Sequence, residues 1–176
     1  TMKRSLWLAL TILFTLTMGA CTAPGAGTPT DSGQTTGPPT QSTPDASWRT
    51  EMLASINAER ARSGATPLVH CPALDRAAQA HSSDQAAHNE MTHSGSDGSN
   101  AGHRIAAAGY AGALAWGENV AVGYPSVGAV MTGWMNSEGH RANIMNPSYR
   151  HVGLGMATSA VGRPYWTQNF GYGGSC

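Results

Sequence analysis

The chain has 176 residues, a formal net charge of zero and only 11% charged residues, with 40% of the sequence apolar. That length and apolar content suit one globular domain with a single core. The neutral balance excludes the clustered Lys and Arg that carry nucleic-acid binding.

In chain order, Lys3-Arg4 precede an apolar stretch from Leu6 to Met18, too short to span a bilayer but of the length of a secretory signal core. It ends in Met18-Gly19-Ala20-Cys21, which resembles the lipobox of bacterial lipoproteins, where the cysteine is acylated. Residues 1–21 are therefore expected to act as a signal peptide and the protein as exported, either held at the outer face of the cell membrane by a lipid on Cys21 or, Met18 being a less usual lipobox residue than Leu, simply secreted. Without that segment, eight arginines face ten acids. Residues 22–46 are dominated by Thr, Pro, Gly and Ser, with alanine the only aliphatic type, and read as a disordered spacer.

The domain is expected over 47–176. Ser47–Ser63 reads as a helix from Met52, Leu53 and Ile56, closed by Gly64. Pro72 opens a second helix to about Asn89, whose alanines imply a close neighbour. Ser99 is expected to cap a short third helix, and Ser126 a fourth with Val127, Val130, Met131 and Trp134 on one face. Strands are expected at Trp116–Val122, His151–Thr158 and Tyr165–Phe170, the last two joined by a turn at 161–164. Helices lead and a hairpin closes the chain, so the fold class is α+β. Setting Cys21 aside leaves Cys71 and Cys176 as an even pair for a disulfide in an oxidising compartment; a catalytic thiol at Cys71 is the weaker alternative.

Of seven histidines, His81 and His88 lie seven apart on one helix and read as packing or surface residues; His70, His103 and His151 show no partner. Three glycine-punctuated polar segments differ: Met91–Ser99, Trp116–Ala121 and Trp134–Ile144. They bring two imidazoles, His93 and His140, and two glutamates, Glu118 and Glu138. Such a set supports zinc or another divalent cation, acid–base chemistry, or a polar network that only orders loops. No His-Glu-x-x-His, Gly-x-Ser-x-Gly or phosphate-loop motif is present.

The runs Ile56-Asn-Ala-Glu-Arg60, His93-Ser-Gly-Ser-Asp-Gly98, Gly117-Glu-Asn-Val-Ala121, Gly139-His-Arg-Ala-Asn-Ile144, Val152-Gly-Leu-Gly155 and Tyr165–Gly171 resemble, in order, the motifs of the CAP superfamily. The resemblance implies a three-layer α-β-α sandwich with a central antiparallel sheet, and a cleft with a His/Glu tetrad that binds a divalent cation in some members. His93, Glu118 and His140 match that motif. Many members place the fourth residue, a glutamate, where this chain has Ser137; Glu138 either substitutes for it or points to solvent. The functional readings are a surface-anchored module binding a metal and an apolar or cell-envelope ligand, a metal-assisted hydrolase in which Glu118 activates water, and a structural envelope protein.

Overall fold

The computed structural model describes residues 44–176. The expected signal segment, Cys21 and nearly all of the spacer lie outside the described residues. The elements are α1 (Pro44–Arg62), β1 (Val69–His70), α2 (Pro72–His88), α3 (Ala101–Ala107), β2 (Ala115–Val122), α4 (Val127–Met135), α5 (Glu138–Met145), β3 (His151–Thr158) and β4 (Pro164–Tyr172).

The sheet order is β1-β3-β4-β2, with β3/β4 and β4/β2 antiparallel and the two-residue β1 parallel to β3. Beneath one face, α2 lies almost in backbone contact with β3. Gly153 and Gly155 face Leu74 and Ala78, and a Cβ on either glycine would sit more than an ångström inside ordinary contact with α2 backbone atoms. Two strand residues rise about 6.6 Å and four helix residues about 6 Å, so alternate glycines match helix positions four apart. The alanines of α2 therefore pack on the bare glycine face of the sheet.

On the opposite face Val152, Leu154 and Phe170 join Met52 and Ile56 of α1, Val130, Met131 and Trp134 of α4 and Ile144 of α5 in the main core. The smaller core of Cys71, Leu74, Ala77, Ile105 and Tyr110 joins α2 to α3. The architecture is thus the α-β-α sandwich, its sheet antiparallel except for β1. Cys71 and Cys176 form the expected disulfide, with Cα atoms 5.3 Å apart.

Arg60 is the largest departure from a simple helix end. It is fully buried and donates to the carbonyls of Thr66 (2.8 Å), Ile144 (2.7 Å), Asn146 (2.9 Å) and Tyr149 (3.5 Å). Burial, and behind it the charge of Arg150, lowers its pKa. One guanidinium thereby fastens the end of α1 to the chain leaving α5.

Four expectations shift. The first helix begins at Pro44, where a proline's missing N–H costs nothing in the first turn. The third is capped by Asn100, whose Oδ1 accepts from His103 N at 2.9 Å, not by Ser99. A fifth helix forms over Glu138–Met145 despite Gly139, because Ile144 buries in the main core. His70 and His151 have partners after all: His70 Nε2 is 2.6 Å from Asp75 Oδ2, and His151 Nδ1 is 2.8 Å from Tyr110 Oη.

Candidate functional site

The site is assembled from the loop after α2, the start of α3, the middle of β2 and the N-terminal turn of α5. Asn89 ends α2 in the left-handed conformation (φ 54°), which reverses the chain. The returning loop is then pinned to α2. Ser96 donates its N–H and hydroxyl to the two oxygens of Asp84 at 2.8 and 2.6 Å, and these bonds hold that carboxyl below its ordinary value. Thr92 N donates to Gln85 Oε1 at 3.2 Å, while His81 Nε2 meets Thr92 O at 2.8 Å. So anchored, the loop presents His93 outward, its side chain 62% exposed.

Glu118 lies opposite Asn169 in the β2/β4 ladder, and its side chain is only 2% exposed. Its oxygens are surrounded by donors. Arg104 Nη2 sits between them, at 3.1 Å from Oε1 and 2.8 Å from Oε2. His93 Nδ1 is 2.9 Å from Oε1, and the Asn169 amide, in the orientation that satisfies both its ends, donates to Oε2 at 3.1 Å. His81 Nε2 lies beneath at 3.9 Å. A carboxylate offers about four acceptor directions, and here four donor contacts fill them. Arg104 also donates to Ser99 O (2.8 Å) and His93 O (3.0 Å), so the same side chain ties the loop to the strand.

His140 is half-buried on the first turn of α5. Its carbonyl accepts from Asn119 Nδ2 at 3.1 Å, and Asn143 Nδ2 donates to Glu118 O and Asn119 Oδ1 at 3.1 and 2.9 Å. Asn119 further donates to Gln168 Oε1, and Gln168 Nε2 lies 3.5 Å from the sulfurs of Met52 and Met131. This buried chain of amides holds α5 against the sheet. Burial lowers the His140 pKa, and the nearby His93 lowers it further, which favours a neutral imidazole. His81 is also pushed down by burial, against the opposing pull of Glu118.

The family model of the Cysteine-rich secretory protein family, CAP, matches residues 53–170. The chain belongs to the CAP family. Among its relatives is the uncharacterized protein YkwD of Bacillus subtilis, 34% identical over 123 residues that make up 70% of this chain and 46% of YkwD. Among solved structures, an extracellular protein containing a SCP domain from Bacillus anthracis is 27% identical, with a TM-score of 0.64 over 78% of this chain and 45% of its own. An outer surface protein of Borrelia burgdorferi, at 17% identity, shares the fold with a TM-score of 0.66 over 72% of this chain and 92% of its own. The CAP-domain chain spans less than half the length of YkwD and of the B. anthracis protein.

The divalent cation implied by the family tests differently against each residue. Among the described residues, no three His, Cys, Asp or Glu side chains are arranged as ligands around one point. Glu118 does not fit as a direct ligand, because Arg104, His93 and Asn169 already occupy both oxygens. It fits a supporting role instead. A carboxylate can only accept, so His93 Nδ1 carries the proton, and in the neutral form of the ring Nε2 is the nitrogen with the lone pair. His93 and His140 then offer two imidazoles of a kind suited to zinc or a similar ion.

Glu138 is exposed and, with Met135, Arg141 and Met145, lines a separate groove of about 500 Å³. Sequence reasoning missed Arg104, which looks like an ordinary helix-end cation. It also read His81 as a packing residue. His81 is indeed buried, but its spacing from Leu74, Ala77 and Ala78 aims it at the underside of Glu118.

Proposed function

We propose that this CAP-domain protein is an exported, lipid-anchored binding module, in which His93 and His140 hold a divalent cation and a separate groove along α5 takes an apolar or cell-envelope ligand. The observation that carries the reading is the 2.9 Å contact between His93 Nδ1 and Glu118 Oε1. It orients a solvent-facing imidazole with Nε2 turned away from the carboxylate, as carboxylates behind metal-bound histidines do. The lipobox-like Met18–Cys21 and the description of the B. anthracis relative as extracellular support export. Among the described residues no helix is long and apolar enough to cross a membrane, and the anchor in this reading is Cys21. Met135 and Met145 give the groove along α5 an adaptable apolar lining.

A binding role is favoured over hydrolysis by the state of Glu118. A general base must accept a proton from water, and this carboxylate is buried and already fully engaged. Zinc titration by calorimetry should show binding in the wild type that His93→Ala loses; a wild type that takes up no zinc refutes the metal half of the proposal. Cys21→Ser should release the protein from membranes into the medium, and unchanged membrane association refutes the anchor.

A further inference from the structure

We infer that the groove between α3 and the start of β2 is a binding subsite for an uncharged sugar ring, with Trp116 as the platform on which it stacks. The site shares no residue with the two imidazoles or with the groove along α5, so it stands or falls apart from both.

The groove has a volume of about 470 Å³, within the ~300–1,000 Å³ of small-molecule sites. Trp116, Tyr110, Asn100 and His103 line it, and none of its lining residues is Asp, Glu, Lys or Arg. The aromatic wall is built on glycines. Trp116 lies opposite Gly171 in the β2/β4 ladder, and its indole rests on α3, where a Cβ on Gly102 would fall 2.8 Å from Nε1. Tyr110 fills the space over Gly171 and Gly174, where added Cβ atoms would meet its ring at 2.7 and 2.4 Å. Tyr110 is buried there, whereas Trp116 remains 46% exposed.

The polar groups around this wall are free. Trp134 and Trp166 donate their indole N–H to the carbonyls of Val120 (3.2 Å) and Tyr124 (2.9 Å), but among the described residues Trp116 Nε1 has no such acceptor. Asn100 uses Oδ1 to accept from His103 N at 2.9 Å, which leaves its Nδ2 and the His103 ring without a protein partner among the described residues. Free polar groups at a surface ordinarily bond water; these surround a groove with an aromatic wall and an uncharged lining. An anionic or cationic ligand would find no standing counter-charge there. An acyl chain would strip water from the three polar groups and return no hydrogen bond. A pyranose meets both demands: its C–H face stacks on an indole, and its edge hydroxyls donate and accept.

The test is saturation-transfer NMR on the full chain with two neutral probes, tri-N-acetylglucosamine and maltotriose, folding being checked by urea unfolding. Wild type is expected to bind at least one of them. Trp116→Ala should weaken that binding about tenfold, and Trp116→Phe, which keeps an aromatic face, should stay within about threefold of wild type. No binding of either probe overturns the inference, as does unchanged affinity in a folded Trp116→Ala protein. Phosphatidylcholine vesicles form a third arm: vesicle binding that Trp116→Ala abolishes, with neither sugar bound, overturns the inference and makes this face a lipid contact. Should Trp116→Ala fail to fold, Gly102→Ala takes its place, because the new Cβ displaces the exposed indole while favouring the helix. It is expected to weaken sugar binding about threefold or more, and unchanged affinity there overturns the inference.

Discussion

Replacing Gly153 by alanine tests how closely α2 is laid on the sheet. The added Cβ would fall more than an ångström inside ordinary contact with the Leu74 carbonyl carbon and the Asp75 nitrogen. Both are backbone atoms of a helix that is hydrogen-bonded along its length, so no side chain can rotate away. Relief requires lifting α2 from β3, and with it the packing of Leu74, Ala77 and Ala78. Overpacking costs about 1–3 kcal/mol where side chains can adjust, and a backbone clash belongs at or above the top of that range, about 3 kcal/mol. Urea unfolding followed by tryptophan fluorescence, disulfide intact, reads this as a lower midpoint at unchanged slope. Gly128→Ala is the matched control: Gly128 sits within α4, with nothing near the position of its missing Cβ. There alanine should stabilise by about 0.5–1 kcal/mol through helix propensity. A Gly153→Ala protein within about 0.5 kcal/mol of wild type would refute the close-packing argument. Because α2 carries His81 and Gln85, the same variant should also weaken zinc binding by loosening the loop that presents His93.

Arg60→Ala strands the carbonyls of Thr66, Ile144, Asn146 and Tyr149, and urea unfolding should register a loss of about 3 kcal/mol or more, of which Arg60→Lys recovers only part. For the disulfide, Cys71→Ser/Cys176→Ser opens a loop of 105 residues and should lower stability by about 4–5 kcal/mol in chain-entropy terms; a loss under about 1 kcal/mol would contradict that account. The pH prediction concerns His81, whose folded pKa is held below the ordinary 6.5 by burial. The unfolded chain therefore binds a proton more readily than the folded one. Its contribution is complete above pH 6.5 and is lost as pH falls through that value toward the folded pKa. Thermal midpoints measured between about pH 8 and 5 should fall with acidity in wild type and fall less in His81→Gln; parallel curves would contradict the assignment.

Much of the fold was readable from local signals. Pro72 opens α2 and its end falls at Asn89 as expected, Ser126 accepts from Ala129 N at 3.2 Å as the cap of α4, and the alternation in 151–158 with the returning strand 165–170 became the β3/β4 hairpin. The elements that escaped were those stabilised by distant partners. The two residues of β1 have no period of their own and exist because Val69 N and Cys71 N donate to Arg150 O and Val152 O. Helix α5 is short, polar and glycine-containing, and holds through Ile144 and the Asn119–Asn143 amides.

The same division runs through the site. By itself the sequence determined which groups are available: His93, Glu118 and His140 in family-matching motifs, and Cys71 and Cys176 as a pair. Those follow from residue type and spacing, which are local properties. Only the tertiary structure decided what each group can do, because a carboxylate's role depends on which donors reach its oxygens. Arg104, His81 and Asn169 come from three different elements, and it is their convergence on Glu118 that leaves an apparently free carboxylate buried with both oxygens engaged.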